Sequence, residues 1–388
     1  MNIGLLGFGV VGGGVWELAQ ENRALNVKKV LVRRETPSLG KAAVQDVEAI
    51  LRDTEIDTVV EVLGGLHPAY EWICRALAAG KDVVTANKAV ISAYYRELTA
   101  LARENGVALR CTAAVGGGIP WLVNLQRCRR VDTVTEVGGI MNGTTNFIMD
   151  AMARQGADFP AVLQRAQELG YAEADPSADI DGDDIRRKLT ISANIAFDAL
   201  LREEDIPAFG IRTVTGADVA DFRAHGFTCK LLACAQRTET GVAAYVEPAL
   251  VAEGEPEAAV PGNYNLISCT GELLGRQSYF GQGAGRYPTA ANVVQDCLDL
   301  LTGEDGFYTE TARPMAVEAD AVAHPYYVRT QAADPWLKSV TADRWAGGVI
   351  TGAVPVGQML RWRRPSGRGT PAASWRASGD GISGGRDV

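Results

Sequence analysis

Residues 1–15 read MNIGLLGFGVVGGGV, and this stretch decides the fold. Within it, Gly7-Phe8-Gly9-Val10-Val11-Gly12 fits the pattern GxGxxG, directly after a short apolar strand and at the start of a helical stretch. A dinucleotide-binding turn requires that placement. Gly7 would form the tight turn, Gly9 would let the backbone approach a pyrophosphate, and Gly12 would allow close packing of the helix on the strand. A plain glycine-rich turn is the alternative interpretation.

Short β-branched runs alternate with helix-length segments through residues 1–110. Amphipathic stretches such as Pro68–Ala79 and Ile91–Glu104 lie between the runs. Alternation at this spacing predicts a Rossmann-type, doubly wound parallel sheet with helices on both faces. The predicted strands are Ile3–Leu6, Val27–Val32, Thr58–Val62, Asp82–Thr85 and Val107–Arg110.

The pattern changes at the glycine-rich junction TAAVGGGIP, residues 112–120. Beyond it, helical and strand-like segments are mixed, which predicts an α+β second domain that carries out catalysis and dimerisation. We expect a helix at Ala290–Leu301 that packs back on the first domain. The other predicted segments are the helix from Trp121, the strand Thr133–Gly138, the helices Ala161–Leu169 and Asp183–Phe197, and the strands Val242–Leu250 and Asn265–Cys269.

Four units follow from these patterns. The periodicity becomes poor from about residue 325, and residues 365–388 are rich in Gly, Ser, Arg and Pro, which predicts a segment without fixed structure. The predicted divisions are 1–130 for the NAD(P)-binding domain, 131–320 for the catalytic domain with 290–315 packing back, 321–362 for a short module, and 363–388 for the tail.

Composition excludes several classes of function. The chain has 388 residues, 47% of them apolar, and a net charge of −9, so a basic nucleic-acid-binding surface is not expected. No apolar run approaches the roughly 20 residues that a membrane span needs. Neither a basic leader nor a CxxC pair is present, which predicts a cytoplasmic protein with free thiols and no membrane partner.

The end of the second predicted strand indicates which dinucleotide is bound. An acidic residue there would bind the ribose 2′-hydroxyl of NAD, whereas an arginine accommodates the 2′-phosphate of NADP. This chain has Arg33 and Arg34, and its first acid is Glu35. The pair favours NADP, with NAD as a possible substitute; a solvated basic pair is the alternative.

Two further segments carry polar groups at the ends of strands. Lys88 ends the stretch DVVTANK after the strand at Asp82–Thr85, and ligands bind outside the carboxyl ends of strands in open α/β sheets. Position alone leaves an ordinary surface lysine equally open. The turn Gly139–Asn146 contains Gly143, which we assign to the cofactor; a helix N-cap explains the same turn.

The densest chemical segment is LGYAEADPSADIDGDDIRRK, residues 169–188. Asp184 and Lys188 are spaced i,i+4 and share a helix face, so an ion pair of about 0.2–0.5 kcal/mol is the plain interpretation. Oxidation of an amino alcohol would instead use a carboxylate such as Glu173 for the ammonium, and a lysine as proton acceptor beside the hydride path.

Read together, these segments resemble the homoserine dehydrogenase family over residues 1–300. The resemblance implies reversible, NAD(P)-dependent interconversion of L-homoserine and L-aspartate 4-semialdehyde, in threonine, methionine and isoleucine biosynthesis, by a homodimer. The stretches that carry it are 4–15, 59–65, 81–92, 113–120, 138–152, 169–191, 225–235 and 281–296.

The resemblance also implies residue roles. Lys188 is implied as the catalytic lysine that exchanges the hydroxyl proton, and Lys88 as a cofactor-side lysine that is also a candidate for proton handling. Glu173 is implied to bind the substrate amino group beside the cofactor, and Asp184 to bind the substrate. The implied backbone contacts to the cofactor are at Gly9, Val10, Val11, Gly170 and Gly285.

Two departures from the family pattern qualify these expectations. The family's sodium site implies carbonyl donors at Val115, Gly117 and Ile119, but the position of its glutamate is Thr112 here, and a hydroxyl is a poorer ligand for a hard cation. His324–Thr330 resembles the start of a regulatory ACT domain, of which about half follows. We therefore expect no threonine feedback through a complete ACT domain.

Two rival functions remain open at this point. A dehydrogenase of another amino acid would keep the glycine fingerprint but need different groups at positions 173, 184 and 188. A non-catalytic dinucleotide-binding regulator would have no use for a proton-transferring lysine, so Lys188 argues against it.

Overall fold

A parallel α/β unit forms the first part of the chain. The computed structural model describes residues 1–304, 306–309, 311–329 and 334–363, and the backbone of 374–377. The elements of the first unit are β1 (Asn2–Leu6), α1 (Val10–Gln20), β2 (Asn26–Leu31), β3 (Ala43–Val44), α2 (Glu48–Leu51), β4 (Thr58–Glu61), α3 (Ala69–Ala78), β5 (Asp82–Thr85), α4 (Lys88–Glu104) and β6 (Leu109–Arg110).

The six strands of this unit are parallel, in the order β3-β2-β1-β4-β5-β6. That order is the Rossmann arrangement, with a switch point between β1 and β4 where a dinucleotide binds. The predicted fold class is confirmed. Adjacent residues of one strand enter different apolar clusters, Val59 with α3 and α4 and Val60 with α1, because helices cover both faces of the sheet.

Two predicted boundaries in this unit were wrong by a few residues. Helix α4 starts at Lys88 and not at Ile91, because the Asn87 side chain accepts a hydrogen bond from the Val90 amide and caps the helix. Strand β6 starts at Leu109 and not at Val107, since the Val107 amide still bonds the Ala102 carbonyl at the end of the helix.

An α+β unit follows, as predicted. Its elements are α5 (Trp121–Arg129), β7 (Val134–Ile140), α6 (Gly143–Gln155), α7 (Phe159–Glu168), α8 (Ser177–Ile180), α9 (Asp183–Phe197), α10 (Gly216–Ala224), β8 (Phe227–Arg237), β9 (Gly241–Ala252), β10 (Tyr264–Gly271), β11 (Gly275–Gln282) and α11 (Arg286–Leu301). An antiparallel set of strands in the order β11-β10-β7-β8-β9 forms the sheet, and α6, α9 and α10 pack on it.

Helix α11 packs against α1, on the first unit. Ala290, Val293 and Cys297 share an apolar cluster with Val15 of α1. A Cβ added to Gly14 would lie 2.9 Å from the Ala290 Cβ, so the absence of a side chain at Gly14 lets the two helices approach closely. The first and second units are thereby joined on the side next to the glycine turn.

The C-terminal part extends the second sheet. Its elements are β12 (Ala316–Val317), β13 (Ala323–His324), β14 (Tyr326–Val328), α12 (Pro335–Val340), β15 (Thr341–Arg344), β16 (Val349–Thr351), β17 (Val354–Pro355), α13 (Val356–Arg363) and β18 (Ser374–Ala377). The backbone of β18 pairs with β9 and β14, and β12 pairs with β9, so the described strands of this sheet number ten.

The predicted unstructured tail, 363–388, lies outside the described residues except for Arg363, which ends α13, and the strand β18. Among the helices described, none has the length and apolar character needed to cross a membrane.

Candidate active site

A cavity of about 710 Å³ lies between the two units. It opens at the carboxyl ends of the parallel strands, where α/β sheets bind ligands. Ala86 and Lys88 line it from the first unit, and Asn142, Asp184 and Lys188 line it from the second. Its volume is in the range of small-molecule and cofactor sites.

The glycine turn at one end of the cavity has the geometry of a dinucleotide cradle. Gly7 has a φ of +107°, a conformation that favours glycine. A Cβ on Gly12 would lie 2.2 Å from the Gly7 carbonyl oxygen, so this position requires glycine for packing. A Cβ on Gly9, the N-cap of α1, would meet nothing within 4 Å. The open space lies at the N-terminus of α1, where free amides and the helix dipole bind phosphate.

Most of the predicted cofactor positions line this same cavity: Val10, Val11, Lys88, Gly143, Gly170, Glu173 and Gly285. Arg33 and Arg34 do not line it. They follow β2 as exposed side chains, beside a second cavity of about 410 Å³ lined by Val32, Glu35 and Thr36 among others. The described part of the chain shows no ion pair for either arginine.

Lys188 and Asp184 form a buried pair inside the cavity. Lys188 Nζ lies 2.7 Å from Asp184 Oδ2, and it donates a second hydrogen bond of 2.7 Å to the Met141 carbonyl. Their side chains are 9% and 7% exposed, so neither group is free to rotate into solvent. An ammonium has three N–H donors, and these two contacts leave one of them for a ligand.

Lys88 completes the charge cluster from the opposite wall. Its Nζ lies 3.1 Å from Asp184 Oδ1, so the aspartate lies between two lysines. Burial by itself would raise the pKa of Asp184, but the charges of Lys188 and Lys88 outweigh it and hold the pKa well below its usual value. The charge of Asp184 raises the pKa of Lys88, against the effect of burial. The aspartate is therefore ionised at neutral pH.

The start of α9 places this cluster. Gly182 has a φ of +93° and turns the chain into the helix, and the i,i+4 spacing then brings Asp184 and Lys188 to one face. The helix is buried on nearly all sides from Lys188 to Phe197. The charged pair therefore lies in the first two turns of a helix whose remaining turns belong to the core.

The comparisons with known proteins agree with the geometry. Residues 7–112 match the family described as "Homoserine dehydrogenase, NAD binding domain", and residues 120–298 match "Homoserine dehydrogenase". A homoserine dehydrogenase of Synechocystis sp. is 42% identical over 78% of this chain and 73% of that protein. One from Pseudomonas aeruginosa is 37% identical over 86% and 82%.

The chain belongs to the homoserine dehydrogenase family. A crystal structure of a homoserine dehydrogenase from Thiobacillus denitrificans has a TM-score of 0.87, at 31% identity over 97% of this chain and 98% of that one. The chain is thus an oxidoreductase that uses a nicotinamide dinucleotide and acts in amino-acid biosynthesis. Of the earlier alternatives, the non-catalytic regulator and the dehydrogenase of another amino acid are set aside.

Sequence reasoning did not select two polar residues that line this cavity, Asn142 and Asp179. Asn142 donates from Nδ2 to Asp179 Oδ1 at 2.7 Å and to Asp184 Oδ2 at 2.8 Å, and so bridges two carboxylates. Burial and the charge of Asp184 raise the pKa of Asp179. Both residues lie in segments recognised as polar, but no spacing rule relates positions 37 apart in the chain.

The glycine-rich loop to which the family resemblance assigns a sodium ion is only partly in the cavity. Gly117 lines the cavity, whereas Val115 and Ile119 do not. The Gly117 and Ile119 carbonyls each accept a hydrogen bond from Asn292 Nδ2, at 2.6 and 3.0 Å. Thr112, at the position of the family's glutamate, is directed to a different partner, Asp296.

Proposed function

We propose that the chain is an NADP-preferring homoserine dehydrogenase in which Lys188 transfers the proton of the substrate hydroxyl. The observation that carries this proposal is the uncommitted N–H of Lys188, held in the cavity by Asp184 and the Met141 carbonyl. A bound nicotinamide ring would supply or accept the hydride. Lys188 would donate its proton to the aldehyde oxygen in reduction and take it back in oxidation.

The remaining charged groups suit an amino-acid substrate. Both oxygens of Asp184 contact lysines, so we assign its substrate-binding role to positioning those lysines. Glu173 and Asp179 line the same cavity and would bind the substrate ammonium. The Lys88 ammonium has three N–H donors, and its contact with Asp184 uses one of them. The others would bind the substrate carboxylate.

The direct test is the absorbance of reduced nicotinamide, with purified protein, L-homoserine, and either NADP or NAD. We expect reduction with L-homoserine and a higher kcat/KM with NADP. Binding of cofactor without any turnover would contradict the proposed reaction. A higher kcat/KM with another hydroxy amino acid than with L-homoserine would contradict the proposed substrate.

Replacing Arg33 and Arg34 by glutamine should weaken NADP selectively. Loss of a charge-assisted hydrogen bond to a phosphate costs about 1.5–3 kcal/mol, so the KM for NADP should rise about tenfold or more while that for NAD changes little. Initial rates with both cofactors measure this. Arg96→Gln, at an exposed arginine of α4, is the control for net charge. Equal losses with both cofactors would show that the pair does not contact a 2′-phosphate.

Substituting Gly9 by alanine should separate binding from stability. A Cβ there meets no protein atom within 4 Å, so the Tm should stay near that of the unchanged protein. The same Cβ would project at the pyrophosphate, and cofactor affinity should fall at least tenfold. Gly12→Ala should instead lower the Tm, because its Cβ would lie 2.2 Å from the Gly7 carbonyl oxygen. Fluorescence titration and thermal melting distinguish the two effects; unchanged affinity in Gly9→Ala contradicts the assigned cradle.

A cytoplasmic homodimer is the proposed form of the enzyme. Support comes from β11, one of the two edge strands of the second sheet. Phe280 on this strand is 55% exposed, and Leu273 and Leu274 in the turn before it are 81% and 50% exposed. An uncovered edge with apolar side chains is typical of an interface. Light scattering during size-exclusion chromatography measures the mass; a monomer at all concentrations contradicts the assignment.

A further inference from the structure

The loop at residues 115–119 carries the carbonyls that the family resemblance assigns to a sodium ion. In this chain, hydrogen-bond donors of the protein itself contact two of those carbonyl oxygens. Asn292, in α11, is 7% exposed, and its Nδ2 donates to the carbonyl oxygens of Gly117 and Ile119, at 2.6 and 3.0 Å. An amide NH₂ has two hydrogens, and both are directed at carbonyls that would otherwise face a cation.

The side chain expected to complete a cation site is also occupied. Thr112 donates from its hydroxyl to Asp296 Oδ1 at 2.7 Å and from its amide to Oδ2 at 2.9 Å. Arg110 donates from Nε to Asp296 Oδ1 at 3.1 Å, and its side chain is 1% exposed. A buried guanidinium therefore already supplies the positive charge of this cluster, and a hydroxyl replaces the anionic ligand that a hard cation prefers.

This donor arrangement fits no monovalent cation. We infer that the enzyme functions without the cation. Asn292 holds the 115–119 loop in position instead, together with the cluster of Arg110, Asp296 and Thr112. Asn292 is thus a positioning residue and does not contact substrate.

The loop matters to the site because it touches the cofactor wall. A Cβ on Gly117 would lie 2.5 Å from the carbonyl carbon of Gly283, and Gly117, Gly283 and Gly285 all line the cavity. A displaced loop would move that wall. The effect on cofactor KM rests on the proposed function; the effect on stability does not, since melting needs neither substrate nor cofactor.

The experiment compares the complete protein in NaCl, KCl and choline chloride at equal ionic strength. We expect the same Tm in all three salts, and the same kcat/KM for NADP. A Tm or kcat/KM that rises specifically with Na⁺ or K⁺ over choline would overturn the inference. A protein that melts alike in the three salts but turns over no homoserine would overturn the proposed function alone.

Asn292→Asp tests the positioning role. The substitution keeps the shape but replaces the donor with a carboxylate facing two carbonyls, so in choline the Tm should fall by several degrees and the KM for NADP should rise several-fold. Na⁺ or K⁺ should restore part of both, because the variant adds an anionic carboxylate to two neutral carbonyl oxygens, a ligand set that suits a hard cation. Asn124→Asp is the matched control. Asn124 is half-buried in α5, and within the described residues its side chain donates to the Pro120 carbonyl alone, so the substitution should change neither quantity. A Tm equal to that of the unchanged protein in every salt would show that Asn292 does not hold the loop.

Discussion

Replacement of Lys188 by alanine should reduce kcat about 10²–10⁴-fold, the usual effect of losing a general acid–base, with little change in cofactor affinity. The expected fall in kcat is a loss of proton transfer. Two N–H groups of the Lys188 ammonium are directed at Asp184 and the Met141 carbonyl, and the third can reach the substrate oxygen. Cofactor affinity should persist because the cradle at Gly9 belongs to a different unit of the chain.

Steady-state rates and cofactor titration measure these two quantities separately. Lys188→Met is a second variant that keeps the length of the side chain and so avoids an empty space beside Asp184. Lys338→Ala, at an exposed position of α12, is the control for loss of a lysine charge. Near-normal turnover in both Lys188 variants would remove this residue from the proton transfer and leave Lys88 as the candidate.

Conversion of Asp184 to asparagine should have the second largest effect, a fall in kcat/KM for homoserine on the order of 10²-fold, the usual effect of misplacing a catalytic group. The carboxylate lies between Lys188 and Lys88, so its loss removes the anion that contacts both ammonium groups and leaves the buried Lys188 without its ion-pair partner. Each lysine would then move from its position. Asp183→Asn is a close control, because Asp183 is more exposed and, within the described residues, its ion-pair partner is Arg186.

The Asp184→Asn substitution should also change how the free energy of unfolding depends on pH. The folded pKa of Asp184 lies below its usual value, and an unperturbed aspartate titrates near pH 4. Its ionised form therefore stabilises the folded protein above about pH 4, and this contribution is lost as the pH falls further. The free energy of unfolding, measured by denaturation at a series of pH values, should fall less between neutral and acid pH in Asp184→Asn than in Asp183→Asn. Identical curves would mean that the buried cluster does not control acid stability.

Local sequence predicted the elements that depend on neighbouring residues. The helix Asp183–Phe197 and the strand Asp82–Thr85 have the predicted bounds, because a glycine precedes the helix and a β-branched run forms the strand. Strand β8, Phe227–Arg237, was not predicted. It is buried along most of its length, so it lacks the polar–apolar alternation that identifies a half-exposed strand.

The sequence by itself determined the Rossmann class of the first unit, the glycine turn and the pair Asp184–Lys188. The class follows from the alternation of strands and helices, and the other two depend on spacing within one turn or one helix. Only the tertiary structure decided which distant groups meet. Lys88 reaches Asp184 from 96 positions away in the chain, and Asn292 bonds the carbonyls of Gly117 and Ile119 across about 175 residues. Contacts of that range depend on how α9 and α11 pack on the first unit, and packing depends on the whole apolar core and not on any local pattern.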